Sequence, residues 1–182
     1  MAKGDTRGTH DFYSGRLNER DVLGEFRGTS EYGAAFREAA NERGYVTYDR
    51  AMELVRRYSS EDPLNPKKPF ARELRLAVLD ELGFEEDADT DRVKFYSAVG
   101  TPLDVFHGVD AWIELVTQRG RRHAVTLDVT MNPGKETHKA DVIVQAIPDP
   151  SEDEKGFLDA VYQIYGPEVA QRLRDAEIQK SA

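Results

Sequence analysis

The chain has 182 residues, of which 39% are hydrophobic and 32% charged, with a formal net charge of −9. It has no cysteine, which excludes disulfides, thiolate chemistry and cysteine-based zinc sites. No apolar run approaches the roughly 20 residues that span a bilayer, and the negative charge argues against a nonspecific nucleic-acid coat. The first residues, MAKGDTRGTHDFY, have no apolar signal segment, so we expect a cytoplasmic protein, or a viral protein acting in the host cytoplasm.

The N-terminal third divides into an arm and a helical pair. Residues 1–29 mix Gly, Thr, Asp and Arg without a sustained period, which predicts an extended or disordered arm. Apolar positions at helical spacing then predict helices at Glu31–Arg43 and Tyr48–Tyr58. We interpret residues 30–62 as a helical hairpin appendage. Two prolines break the helical pattern after it, and residues 63–182 are expected to form the core domain.

The core domain opens with its most regular helix. Pro69–Leu82 carries an apolar stripe and ends at a glycine. An acidic loop at 85–91 leads to a predicted strand at Arg92–Val99. Residues 101–107 are expected to form one helical turn, because Thr101 is a suitable cap and a proline follows it.

A hairpin between residues 108 and 130 forms the centre of the predicted sheet. In GVDAWIELV, alternation places Asp110, Trp112 and Glu114 on one face and the aliphatic residues on the other. Gln118-Arg119-Gly120 fits a three-residue loop with glycine in the left-handed position. Closing the hairpin on this loop makes paired residue numbers sum to 238, so Asp110 is expected to face Asp128.

A third strand follows closely, in KADVIV. The connection from Met131 to His138 is too short for a helical crossover, which predicts a second antiparallel hairpin. The register that keeps the faces consistent sets Thr130 beside Lys139 and Asp128 beside Asp141.

These two registers together crowd Asp110, Asp128 and Asp141 into one patch. Like charges facing each other across strands destabilise a sheet, so something must compensate them. A bound Mg²⁺ or Mn²⁺ would do so, since hard cations take carboxylate oxygens. Two alternatives stay open: a solvated sheet edge neutralised by Lys139 and nearby arginines, or a different register.

Two further helices close the chain. A capping-box pattern at Ser151 predicts a helix from Glu152 to Tyr165. Gly166-Pro167 is expected to break it, and a last helix is expected to run to about Ile178. The predicted fold class is therefore α+β, with a mostly antiparallel sheet of about four strands flanked by helices and preceded by the helical hairpin.

The order of these elements resembles the PD-(D/E)xK nuclease superfamily. The matching stretch runs from about Pro69 to Thr130: a helix carrying a glutamate, a strand, then a hairpin with Asp110 on its first strand and Asp128 on its second. The resemblance implies a helix glutamate, for which Glu73 is the first candidate and Glu81 the second. One departure is that Thr130 stands where the motif lysine belongs, and another is that the segment after it is too short for the helix that usually follows.

The resemblance implies metal-assisted hydrolysis of phosphodiesters. Asp110 and Asp128 would hold Mg²⁺ or Mn²⁺, and Glu73 would complete the shell or position the attacking water. Lys139, or Lys135 in the loop, would replace the missing motif lysine. The expected contacts to backbone phosphates come from the arginines at the hairpin tip, namely Arg119, Arg121 and Arg122; a solubilising turn is the alternative for these three residues.

A different class of function is also consistent with the sequence. The net charge of −9 and the missing motif lysine favour a non-catalytic interaction protein, such as a phage-type accessory or inhibitor factor. Such a protein would dock its acidic surface on a basic partner or imitate nucleic acid. The expected partners are therefore nucleic acid or a basic protein, with no membrane.

Overall fold

The computed structural model describes residues 19–130, 139–145 and 147–179. Its helices are α1 (Tyr32–Ala39), α2 (Tyr48–Tyr58), α3 (Pro69–Leu82), α4 (Asp87–Thr90), α5 (Pro102–His107), α6 (Glu154–Asp159) and α7 (Gly166–Gln179), with a π-helical segment at Ala160–Tyr165. Its strands are β1 (Val93–Ser97), β2 (Ala111–Val116), β3 (Arg122–Thr130) and β4 (Val142–Gln145). Of the arm predicted for residues 1–29, residues 1–18 lie outside the described residues, and residues 19–23 form a helical turn whose Leu23 is buried in the core.

The four strands form one sheet in the order β1-β2-β3-β4, in which only the β3–β4 pair is parallel. This confirms the predicted α+β class and mostly antiparallel sheet. The predicted hairpin register is also confirmed, since Trp112 pairs with Thr126 and Glu114 with Ala124. Gly120 has φ +74°, the left-handed conformation that its place in the loop requires.

The predicted second antiparallel hairpin is wrong. Strand β4 runs parallel to β3, so Asp128 pairs with Ile143 rather than Asp141, and Thr130 pairs with Gln145 rather than Lys139. The prediction assumed that a parallel connection needs a helix. Eleven residues separate the two strands. To run parallel to β3, the chain must return along a length equal to the four-residue β4, roughly 13 Å. Eleven residues at up to about 3.3 Å each are long enough for this return without a helix.

Both faces of the sheet are covered. The aliphatic face, with Ile113 and Leu127, packs against α3, the π-helical segment and α7. The opposite face carries Trp112, which stacks on Tyr96 with ring centroids 4.8 Å apart. Residues of α2 and α5, together with Val46, cover this second face. The helical hairpin therefore shares a core with the sheet.

The C-terminal helices join differently from the prediction. Gly166-Pro167 does not break the helix, because the π-helical segment continues directly into α7. Gly166 lies against α3 so closely that a Cβ placed there would be 2.6 Å from the Cβ of Ala77. The glycine therefore permits close helix packing. The first of these helices is capped by Asp153, whose side chain accepts a hydrogen bond from the N–H of Gly156, rather than by Ser151.

A buried ion pair joins the helical hairpin to the sheet. Glu114, on β2, is 1% exposed. Its Oε2 accepts hydrogen bonds from both Nε (2.9 Å) and Nη2 (2.6 Å) of Arg56 on α2. Burial alone would lower the pKa of Arg56, but the hydrogen bonds and charges of Glu114 and Glu53 together outweigh that effect and raise it. The ion pair with Arg56 thus allows the carboxylate of Glu114 to lie on a covered face of the sheet.

We predict that Arg56→Ala lowers the free energy of unfolding by about 3 kcal/mol or more, because it leaves the Glu114 carboxylate buried without its main partner. Urea unfolding followed by circular dichroism measures this change. The matched control is Glu53→Ala, which removes only the half-exposed second partner of Arg56 and should cost less than about 1 kcal/mol. Equal, small effects of the two variants would contradict the structural role assigned to Glu114.

Candidate metal centre

Asp110 lies at the end of the sheet where β2 begins, and it is 3% exposed. Its backbone is held on both sides: the N–H donates to the carbonyl of Leu127 (2.9 Å) and the carbonyl accepts from the N–H of Ala98 (2.7 Å). Its carboxylate is held as well, because Oδ2 accepts from the N–H of Val129 at 2.7 Å. Asp110 therefore presents a carboxylate in a fixed position.

Two more carboxylates converge on Asp110 from separate elements. Asp104 lies on α5, and its Oδ2 accepts a hydrogen bond from the N–H of Gly100 at 2.8 Å. Glu19 lies in the helical turn at residues 19–23. One oxygen from each of the three carboxylates lies within 4.8 Å of the other two. We call Glu19, Asp104 and Asp110 the acidic cluster.

The surroundings of Asp110 favour its neutral form. Burial is the largest cause, the charge of Glu19 the second, and the N–H of Val129 partly opposes them. Asp104 and Asp128 add further repulsion, and together these effects raise the pKa of Asp110 to about 8. A cation held beside Asp110 would act in the opposite direction and favour its charged form.

The predicted set of three aspartates is not the set that the fold brings together. Asp128 is buried on β3 and acts on Asp110 through its charge, but it is not one of the three clustered carboxylates. Asp141 is engaged elsewhere: its Oδ2 accepts from the N–H (2.8 Å) and the hydroxyl (2.7 Å) of Thr126. Asp141 therefore fastens the start of β4 to β3, in keeping with the parallel pairing.

The helix glutamate of the sequence-based hypothesis lies on the other side of the sheet. Glu73, on α3, bonds with the side chain of Arg72 (3.2 Å) and the hydroxyl of Tyr162 (3.1 Å). Helix α3 packs on the aliphatic face, whereas α5, which carries Asp104, packs on the opposite face. Glu73, like Glu81 on the same helix, is therefore separated from the acidic cluster by the sheet.

Lys139 lies nearer to the acidic cluster than the hairpin arginines do. Its Nζ is 3.5 Å from the carbonyl of Phe106, at the C-terminal end of the helix that carries Asp104. Arg119 and Arg121 lie at the far end of the hairpin, beyond the six residues of β2, which corresponds to about 20 Å. Arg122 points to Glu114, with Nε 3.8 Å from Oε1.

Sequence reasoning missed two members of the acidic cluster. Asp104 was interpreted only as part of a helix start, although its helix ends shortly before Asp110 and so carries it towards the same place. Glu19 was assigned to the predicted arm, and no local pattern marks it. Neither the spacing nor the alternation of residues could identify Glu19, because the packing of residues 19–23 against the sheet decides its position.

No protein-family model, curated protein or solved structure matches this chain. Within the part of the chain that the structure describes, no helix is long and apolar enough to cross a membrane. The function of the acidic cluster is therefore inferred from its own geometry and charges.

We predict that the stability of the metal-free protein falls as pH rises from about 4 to about 8, through the titration of Asp110. A group whose pKa is higher in the folded than in the unfolded state stabilises the fold fully below its unfolded pKa and loses this contribution as pH rises through its folded pKa. Asp110→Asn keeps an acceptor for the Val129 N–H but cannot titrate. Thermal unfolding in EDTA should therefore show a steeper loss of stability for the wild type than for the variant, on the order of a few kcal/mol. Parallel pH profiles of the two proteins would refute the assignment.

Proposed function

We propose that the acidic cluster binds one divalent cation, Mg²⁺ or Mn²⁺, and that the protein uses it to hydrolyse phosphodiesters of nucleic acid. One observation carries this proposal: three carboxylate oxygens from three separate chain segments lie within 4.8 Å of one another, around an aspartate that is 3% exposed. Carboxylates repel one another, and a positive charge placed among them relieves that repulsion. A divalent cation provides that charge.

The dimensions of the acidic cluster suit a hard cation. Mg²⁺ takes oxygen ligands at about 2.1 Å, so two oxygens on opposite sides of the ion are about 4.2 Å apart. The observed limit of 4.8 Å is close to that span, and small side-chain movements of Glu19 and Asp104 would close the difference. Carboxylate oxygens also match the preference of Mg²⁺ and Mn²⁺ over softer metals, which favour sulfur or imidazole.

In the proposed reaction, the residues of the acidic cluster and the neighbouring Lys139 have different roles. Asp110 is the fixed ligand, since its backbone and Oδ2 are both hydrogen-bonded. Asp104 and Glu19 are partly exposed, so water and substrate would approach the cation from their side. A cation held there would polarise a phosphate and lower the pKa of a bound water. Lys139, whose Nζ lies 3.5 Å from the carbonyl of Phe106 on α5, is our candidate to stabilise negative charge on the phosphate.

The order of elements supports a nuclease over other phosphodiesterases. Helix α3, strand β1 and the hairpin β2–β3 follow one another with Asp110 before β2 and Asp128 on β3, which is the order that the PD-(D/E)xK resemblance implies. In our proposal Asp104 and Glu19 replace the helix glutamate, because Glu73 faces away from the acidic cluster. Asp128 adds negative charge beside the cation and strengthens its binding.

A second candidate is a non-catalytic acidic interaction protein in which the cation only stabilises the fold. The position of Thr130 favours it: this residue is 8% exposed and stands where the motif lysine would project. The net charge of −9 also suits a surface that docks on a basic partner. The two candidates share the metal site and differ in whether hydrolysis occurs there.

The metal site is tested by titrating the metal-free protein with Mn²⁺ in a calorimeter. We expect one binding site in the wild type, and an affinity at least about tenfold weaker in Asp110→Asn and Glu19→Gln, because each loses a charged ligand. Glu73→Gln is the matched control, since it removes the same charge from the far side of the sheet. Absence of binding in the wild type, or equal affinities in all four proteins, would overturn the proposed site.

Hydrolysis is tested separately with end-labelled single-stranded and double-stranded DNA in Mn²⁺. We expect cleavage by the wild type, a loss of about a hundredfold or more in Asp110→Asn, and a loss of about tenfold or more in Lys139→Met. Glu73→Gln should retain activity. Stoichiometric Mn²⁺ binding without cleavage of either DNA would reject the nuclease and leave the interaction protein.

A further inference from the structure

A second site of opposite charge lies at the other end of the sheet, beside the β2–β3 loop. A cavity of about 490 Å³ opens there, lined by Arg92, Thr117, Arg119, Arg121, His123 and Glu177 among others. The lining holds three arginines and Glu177, and one of the arginines, Arg92, is ion-paired with Asp89, so the cavity keeps a small excess of positive charge in a chain whose net charge is −9. Its volume falls within the range of small-molecule sites, roughly 300 to 1,000 Å³.

His123 is the feature that distinguishes this cavity from an ordinary basic surface. It lies on β3 opposite Leu115, and only 2% of it is exposed. Its buried Nδ1 has no hydrogen-bond partner among the described residues. Because Nδ1 is enclosed, Nε2 is the ring nitrogen that can meet a ligand in the cavity. In the neutral tautomer that carries its proton on Nε2, the enclosed Nδ1 has a lone pair and no N–H that would need an acceptor. In the same tautomer Nε2 is a hydrogen-bond donor.

One of the three arginines is held rigidly. Arg92 donates from Nε to the carbonyl of Val116 (2.9 Å) and from Nη1 to Asp89 (2.7 Å). Its guanidinium also lies over the ring of Phe84, 4.5 Å from the centroid. The remaining N–H groups of Arg92 are thus presented in a fixed position, which reduces the ordering cost of binding a ligand.

The hairpin loop supplies the other cations. The N–H of Thr117 donates to the carbonyl of Arg121 (2.8 Å), and the N–H of Arg121 donates back to the Thr117 hydroxyl (3.1 Å). This closed loop fixes the backbone from which Arg119 projects. Arg119 is exposed and has no ion pair with any described residue. It is therefore available to a ligand without breaking an existing contact.

We propose that this cavity binds a phosphate group, held by Arg119, Arg92 and the Nε2–H of His123. Guanidinium groups match the oxygens of phosphate in charge and in fork geometry, and the imidazole adds one directed hydrogen bond. Arg121 adds a further positive charge to the lining, to which Glu177 contributes a carboxylate. The site is independent of the acidic cluster, from which β2 separates it by about 20 Å.

The test uses pyrophosphate, inorganic phosphate and a single-stranded thymidine decamer, each titrated into the full chain in EDTA. We expect pyrophosphate to bind, with the affinity falling at least about fivefold in Arg119→Gln and about twentyfold in the Arg119→Gln/Arg121→Gln double variant. Arg43→Gln, which removes the same charge from an exposed loop residue outside the cavity, should stay within about twofold of the wild type. Asp110→Asn should also bind normally, which separates this site from the metal centre.

The role of His123 has its own readout. Pyrophosphate should shift the imidazole proton resonances of His123, assigned by their loss in His123→Asn, in the wild type but much less in the double variant. If the decamer binds more tightly than pyrophosphate and loses affinity in the same variants, the phosphate belongs to a nucleic-acid backbone; the reverse order identifies a small phosphorylated ligand. No binding of any probe, or equal binding to the wild type and the double variant, would overturn the proposal.

Discussion

Strand β2 is buried on both faces, and two carboxylates are buried with it, so the surrounding structure has to compensate their charges. Glu114 lies on the strand and Asp110 directly precedes it; both are at least 97% buried by the surrounding elements. Removing a charge from water costs several kcal/mol unless another group compensates it. Helix α2 provides Arg56 for Glu114. For Asp110, the surrounding charges come from further carboxylates.

This contrast assigns different roles to the two acids. Glu114 has a permanent cationic partner from the same chain, so its charge serves the packing of the helical hairpin on the sheet. Asp110 is held by hydrogen bonds that fix its position but bring no full positive charge. In our proposal a divalent cation from solution provides that charge, which would make the site sensitive to pH and to divalent cations. In our proposal, the source of the opposing charge distinguishes the structural carboxylate, Glu114, from the functional one, Asp110.

The sheet also separates charge along its length. Acidic side chains gather where β2 begins, and arginines gather at the loop where β2 ends. The net charge of −9 conceals this arrangement, because the basic end is a minority of the total. A phosphate-bearing ligand would be attracted to the basic end and repelled from the acidic end unless a cation were bound there. Under our two proposals, phosphate binding and phosphodiester hydrolysis would therefore have different ionic requirements in the same protein.

Local patterns alone determined the hairpin, including its loop residue Gly120 and its pairing of Trp112 with Thr126, because a one-residue slip would have mixed the aliphatic and polar faces. The bounds of α2 and α3 were also predicted correctly, because the apolar stripe and the end residues of each helix can be recognised within its own stretch of sequence. Local patterns did not determine the direction of β4, since a connection of eleven residues reaches either end of β3. Nor did they identify Glu19 and Asp104, which approach Asp110 only because separate segments pack at one end of the sheet. Features that depend on interactions between residues close in sequence could therefore be predicted from the sequence. The acidic cluster could not, because tertiary packing brings together charges that are distant in sequence, and no local pattern indicates this.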